Sequence, residues 1–152
     1  ALYASKGEVP DDPEFMIPFG KADIKREGSD VTIVTNLLYV GRALEAAEEL
    51  AKEGISVEVI DPRTLVPFDY DTVVDSVKKT GRLVVVHEAH QNCGWGAQVI
   101  TEVSKRAFRY LDAAPIHLGA KPCPLPFNPG LEAAVIPSVK EIVDACKATM
   151  YR

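Results

Sequence analysis

Long hydrophobic runs are missing from this chain, and no stretch approaches the ~20 apolar residues that a membrane-spanning helix needs. The start shows no basic n-region followed by an apolar h-region, the mark of a secretory signal. There is no basic excess either. The net charge is −5, and the lysines and arginines are scattered, which argues against the clustered footprint of a nucleic-acid surface. Cysteine is scarce: Cys93, Cys123 and Cys146 are odd in number and share no repeated spacing, so a reduced, intracellular setting is expected rather than a disulfide framework. No internal repeat or low-complexity tract occurs. With 152 residues, 47% of them hydrophobic, what is present suffices for one globular domain with a single core.

Three β-rich runs organise the chain: VTIVT (Val31–Thr35), SVEVID (Ser56–Asp61) and RLVVVHEA (Arg82–Ala89). An amphipathic segment ending at Gly54 separates the first two, and a proline-framed turn with a second amphipathic segment ending at Gly81 separates the last two. Short apolar strands alternating with helices predict parallel βαβ units, because a parallel pair needs a long crossover and both sheet faces need covering. The fold class expected is α/β, a three-layer αβα sandwich with a mostly parallel central sheet.

In the first helix, Leu37, Val40, Leu44, Ala47 and Ala51 recur at about 3.6-residue spacing and are expected to be buried, with Arg42, Glu45, Glu49 and Lys52 on the wet face. The second helix starts at Asp69, an N-cap residue type, buries Val73, Val74 and Val77, and ends in Lys78 and Lys79, which suit the helix dipole. A third helix over 97–111 buries Val99, Ile100, Val103 and Ala107, with Tyr110 or Leu111. A short strand is expected over Pro115–Leu118. The proline-rich stretch Lys121–Gly130 cannot be a central strand. Ser138 with Glu141 three residues later forms the capping-box pattern of a last helix that buries Val139, Ile142, Val143 and Cys146. The first twenty residues, with Pro10, Pro13 and Pro18, have neither helical nor strand periodicity. Residues 1–24 are expected to be an extended arm and 25–152 the domain. With Ala1 in place of a start methionine, this composition suggests a piece of a longer polypeptide.

The segment His87-Glu88-Ala89-His90-Gln91-Asn92-Cys93-Gly94-Trp95-Gly96 carries the candidate chemistry. It follows the third strand and precedes a helix, so it belongs at the carboxyl end of the sheet, where open α/β folds place ligands. His87, His90 and Cys93 are acceptable zinc ligands, yet intervals of three near a strand end do not make a tetrahedron and no second pair follows. A Cys93–His90 nucleophile pair would need hydrogen-bond reach and an orienting third group. Gly94 and Gly96 alone lack the rest of any phosphate-binding fingerprint. The favoured reading is that both glycines permit a tight strand-to-helix turn, while His87 and Glu88 make polar contacts at a domain or subunit boundary. Asp61 with Arg63 is expected to form a local ion pair that shapes the turn after the second strand. His117 reads as a packed or edge residue.

Several separated motifs together resemble one family. EGSDVTIV (Glu27–Val34), ALEAAEELAKEGISVEVIDPRTLVPFD (Ala43–Asp69), SVKKTGRLVVVHEA (Ser76–Ala89), Cys93–Ala97 and PFNPGLE with IPSVKEIV (Pro126–Val143) look like the C-terminal, transketolase-C-type domain of the β subunit of 2-oxo acid dehydrogenase E1 components. These serve the pyruvate, branched-chain 2-oxo acid and acetoin dehydrogenase complexes. The stretch from Leu2 to Ile24 resembles the connection between the two domains of such a subunit.

The resemblance implies an α2β2 thiamine-diphosphate and magnesium enzyme that decarboxylates a 2-oxo acid and passes the acyl group to a lipoyl arm. It also implies that the cofactor-activating glutamate and the magnesium-diphosphate motif lie elsewhere, so that this chain binds no cofactor, carries no catalytic residue and is inactive in isolation. Its implied partners are the E1 α subunit, a second β subunit and the peripheral-subunit-binding domain of the E2 acyltransferase, in a bacterial cytoplasm or a mitochondrial matrix. Asp61, Arg63, His87, Glu88, Gly94, Trp95, Gly96 and Ala97 are carried over as interface and loop-shaping residues. His90 stands where relatives often have proline, and the His87-Glu88-Ala89 triplet leans toward the branched-chain or acetoin types. The competing readings are a free-standing α/β domain that binds a nucleotide or small ligand through the turn 87–96, and a metal or thiol enzyme centred on His87, His90 and Cys93.

Overall fold

The computed structural model describes Leu2, residues 6–8 and residues 10–151. Ala1, residues 3–5 and Val9 of the expected arm, and Arg152 at the other end, lie outside the described residues. Five strands form one sheet: β1 (Asp23–Arg26), β2 (Val31–Thr35), β3 (Val57–Asp61), β4 (Leu83–His90) and β5 (Ile116–Ala120), in the spatial order β1-β3-β2-β4-β5. Every pairing is parallel except that of β1 with β3. Helices α1 (Leu38–Lys52) and α5 (Val139–Thr149) pack with the core on one face, and α2 (Tyr70–Thr80) and α3 (Trp95–Ala107) with that on the other. The three-layer αβα sandwich is therefore as the strand–helix alternation requires. A helical turn, Phe108–Tyr110, prolongs α3, and a short α4 (Pro129–Ala133) follows the proline-rich stretch.

Strands β2 and β3 are rich in β-branched residues and buried on both sides because helices cover both faces: Val31, Ile33, Val57 and Val59 face α1 and α5, while Val34 and Ile60 face α2 and α3. Asp69 caps α2 by accepting from Thr72 N, Gly81 ends it in the left-handed conformation, and Ser138 with Glu141 forms the capping box of α5.

The structure departs from the sequence reading in several places, among them the following. The buried face of α1 is Tyr39, Ala43, Ala46, Ala47 and Leu50, not the stripe begun at Leu37. Leu37 sits before the helix with φ +53° and is 58% exposed, and Ala51 is exposed, because the small alanines let α1 lie close to β3 and α5. Arg42 is not on the wet face: Nη1 donates to the Tyr39 hydroxyl at 2.9 Å and to the Pro137 carbonyl at 2.8 Å. Strand β1, unforeseen, falls across the expected end of the arm and pairs Asp23 with Asp61. Finally, α3 begins at Trp95 and stops at Ala107, leaving Tyr110 exposed and Leu111 half-buried.

The chain turns to opposite sides of β2 on leaving β2 and on entering β4. The crevice outside the carboxyl ends of these two strands is thus the topological switch point.

Candidate functional site

Each loop that leaves the carboxyl edge of β2, β3 or β4 carries a non-glycine residue in the left-handed region: Leu37 (φ +53°), Arg63 (φ +56°) and Cys93 (φ +60°). Such conformations cost of order 1–3 kcal/mol each and cluster at clamps and functional edges. The loop after β3 is built by Asp61, whose Oδ1 accepts the Arg63 N–H at 2.9 Å. The expected side-chain pair is rerouted, however. Arg63 Nη2 donates to Asp23 Oδ2 at 2.8 Å, because β1 brings Asp23 alongside Asp61.

Beyond β4 the decisive group is a pair of imidazoles. Nε2 of His87 lies 2.7 Å from Nε2 of His117, and the ring centroids are 4.8 Å apart in an edge-on arrangement. His87 is 1% exposed. Its partners assign the tautomers. The Ala89 carbonyl, 3.1 Å from Nδ1, only accepts, so Nδ1 of His87 carries the hydrogen. The Gly96 N–H donates to Nε2 of His87 at 3.3 Å, so that atom is an acceptor and Nε2 of His117 is the donor. Burial, and then the neighbouring His117, hold His87 below the usual imidazole range, and burial does the same to His117. Trp95 lies with its ring centroid 5.0 Å from that of His87 and 6.5 Å from that of Phe68, tying the start of α3 to the loop after β3.

These rings explain the glycines. A Cβ on Gly94 would stand 2.5 Å from Cε1 of His87, and one on Gly96 would overlap Nε2 of His117. The space beside the turn is filled by imidazole, so the geometry does not fit a diphosphate. His90 turns away: its Nε2 lies 3.1 Å from the Cys123 carbonyl. His87, His90 and Cys93 therefore make no common centre, and among the described residues no three acidic, histidine or cysteine side chains gather around a metal-sized point. Ala97 donates its N–H to the Gly94 carbonyl at 3.1 Å, closing the first turn of α3. Glu88, on the opposite face of β4, is exposed and lines a cleft of about 480 Å³ with Leu38, Ala89, Leu125, Glu132 and Ile136.

Two polar clusters escaped the sequence reading. Glu58, 1% exposed within β3, pairs with Lys79 and accepts the Gly28 N–H at 3.2 Å, and Lys79 also reaches Glu27 at 3.2 Å. Burial works to raise the Glu58 carboxyl, but Lys79, Ser76 and the Gly28 amide outweigh it and hold it below the usual range. The only available signal was a charged residue in an apolar strand. The His87–His117 contact could have been read from strand alternation once β5 was set parallel to β4, because His117 pairs with Val85, two residues before His87 on the same face.

Residues 20–142 match the family model described as transketolase, C-terminal domain. The pyruvate dehydrogenase E1 component subunit beta of Rhizobium meliloti is 44% identical over 151 residues, 99% of this chain and 33% of the relative. The acetoin:2,6-dichlorophenolindophenol oxidoreductase subunit beta of Cupriavidus necator is 50% identical over 150 residues, 98% of this chain and 44% of the relative. A mitochondrial pyruvate dehydrogenase E1 component subunit beta of Pisum sativum is 47% identical over 141 residues, 93% of this chain and 39% of the relative. The chain thus spans less than half the length of these relatives. Among solved structures, a split-gene transketolase described as an inactive beta4 tetramer superposes with a TM-score of 0.76 at 29% identity, covering 94% of this chain and 46% of that one.

Proposed function

Because the chain belongs to the transketolase C-terminal domain family, we propose that it is the C-terminal domain of the β subunit of a thiamine-diphosphate-dependent 2-oxo acid dehydrogenase E1. The observation that carries this is near-complete coverage of the chain at 44–50% identity by subunits named as pyruvate dehydrogenase E1 beta and acetoin oxidoreductase beta. In this role the domain does no bond chemistry. It holds the β–β pair, bounds the approach to a cofactor seated between the α subunit and the upstream β region, and docks the peripheral-subunit-binding domain of the E2 acyltransferase. The compartment is a bacterial cytoplasm or, as in the pea relative's name, a mitochondrion.

Three features support an assembly role. The carboxyl-edge loops expose Leu37, Leu65 and Val66, the segment after β5 exposes Leu125, Phe127 and Leu131, and apolar surface of this kind marks interaction sites. Strained backbone at Leu37, Arg63 and Cys93 fixes the shape of the carboxyl edge rather than leaving it pliable. No diphosphate cradle exists at the turn 94–96, where His87 and His117 fill the space. Asp61, Arg63, His87, Glu88 and Gly94 to Ala97 accordingly shape loops and contacts. A two-fold pair is the expected symmetry of the homomeric contact.

Co-expression tests the reading. The chain fused to its upstream β region and joined by α should reduce dichlorophenolindophenol in the presence of a 2-oxo acid, and neither piece alone should. Turnover by this chain alone would overturn the division of labour. Sedimentation of the chain should show a dimer at high concentration.

A further inference from the structure

The His87–His117 contact is not required by an assembly role, and it stands at a sensitive place, the amino end of α3. We propose that His87 and His117 form a proton-sensing couple that holds the start of α3 against the sheet while at least one ring is neutral, and releases it when both are charged. The inference rests on geometry within this chain and does not depend on the proposed function.

The order of protonation follows from the hydrogen bonds. His117 is the more exposed ring, and its Nε2–H already donates to His87. A first proton on Nδ1 of His117 leaves that donation in place and makes it charge-assisted. A second proton has only one place to go. Nδ1 of His87 already carries hydrogen toward the Ala89 carbonyl, so the proton must enter Nε2. There it meets the Gly96 N–H and the His117 Nε2–H, three donors converging with no acceptor among them. Two like charges would also sit at the positive end of a 13-residue helix.

Among the described residues, the surroundings offer no compensating charge. From α3 the couple is faced by Trp95 and the Gly96 peptide, and from β5 by His117 alone. From β4 it is faced by the Ala89 carbonyl, while Glu88 points to the opposite face of the sheet toward Leu38 and Ile136. Phe68, before α2, reaches it only through Trp95, and Gln91 Nε2 donates to the His117 carbonyl at 2.9 Å rather than to its ring. The depressed basicity of both rings, caused by burial and, for His87, then by the neighbouring His117, is what such an enclosure produces. Gly94 and Gly96 leave the rings just enough room to touch, so the same turn that admits the couple would be pushed out by its repulsion.

The readout is built in. Trp95 is the single tryptophan of the 152 residues and lies against His87. In the full chain, acidification from about pH 8 to about pH 4.5 should shift Trp95 emission to the red and lower the exchange protection of the Gly96 and Ala97 amides roughly tenfold, with the far-UV circular dichroism unchanged. His117→Gln should abolish this response, because glutamine donates to neutral His87 and accepts from charged His87 without titrating itself. His90→Gln should leave it intact, since His90 is bonded to Cys123 instead. Three results would overturn the couple: no acid response in the parent chain, an unaltered response in His117→Gln, or loss of far-UV signal in step with the emission shift. If His117→Gln does not fold, long-range proton–nitrogen spectra of the parent chain decide. Hydrogen must sit on Nδ1 of His87 and Nε2 of His117 at neutral pH, and the opposite tautomers overturn the proposal.

Discussion

Oδ2 of Asp69 accepts the backbone N–H of Ala22 at 3.0 Å, and the same carboxylate caps α2 by accepting from Thr72 N and Thr72 Oγ1. One buried side chain therefore joins the segment leading into β1 to the start of a helix on the far side of the loop after β3. Asp69→Ala removes a cap, worth about 1 kcal/mol. It also strands the Ala22 N–H, at roughly 1–3 kcal/mol. Urea denaturation should show a loss of about 2–4 kcal/mol, the sum of those two effects. Asp69→Asn keeps one of the two acceptor oxygens, so it can hold the cap at Thr72 N while its NH2 faces the Ala22 N–H, and should recover only the cap's share of about 1 kcal/mol.

Gly96→Ala drives a methyl into Nε2 of His117. Overpacking of a closed site costs typically about 1–3 kcal/mol. The variant should lose stability in that range and shift Trp95 emission at neutral pH. Gly54→Ala, with open space around its Cβ, should show only the strain of its φ of +78° and no change at Trp95.

Glu58 gives stability a defined acid dependence. Its carboxyl is held below the range near ~4.3 that an unfolded chain shows. The unfolded state thus binds the extra proton first, and stability is fully present above that pH and falls as the pH drops through the folded value. Glu58→Gln replaces the buried carboxylate by a neutral amide whose oxygen can still accept from Lys79, and should cost about 1 kcal/mol at neutral pH, the difference between a charge-assisted and a neutral hydrogen bond. Titrating the urea midpoint between about pH 7 and pH 3 should then give a shallower acid fall than in the parent chain.

The cysteines should separate by reactivity. Burial pushes the Cys146 thiol up to about 12, and the residue is fully enclosed between α5 and the core. Cys93 is exposed on the turn before α3. At about pH 8, alkylation should modify Cys93 within minutes and spare Cys146 until the chain is unfolded. Rapid labelling of Cys146 in the folded chain would mean that α5 does not stay packed.

Much of the architecture was legible in the sequence because strong local signals agreed with one another. The short β-branched runs at 31–35 and 57–60, alternating with helical segments, mark parallel strands, Asp69 and Ser138 with Glu141 mark helix starts, and Gly81 marks a helix end. Leu37 and Ala51 satisfy the helical period of α1 yet lie outside its packed face, which Tyr39, Leu50 and three alanines form instead. Strand β1 was hidden because Asp23, Lys25 and Arg26 are typical of an exposed edge and carry no apolar alternation. At the site, the turn 87–96 was located but its chemistry was not. The partner of His87 is thirty residues away, on a strand whose place beside β4 no local pattern reveals. Proximity in sequence likewise points Arg63 toward Asp61, whereas β1 brings Asp23 within reach.

Calorimetric titration with thiamine diphosphate and magnesium bears most directly on the central claim, that this domain assembles and shapes an E1 enzyme without holding its cofactor. The chain alone should give no saturable heat, while the same chain joined to its upstream β region and the α subunit should bind the cofactor stoichiometrically. Saturable binding to the chain alone, or no binding in the assembled complex, would contradict the claim.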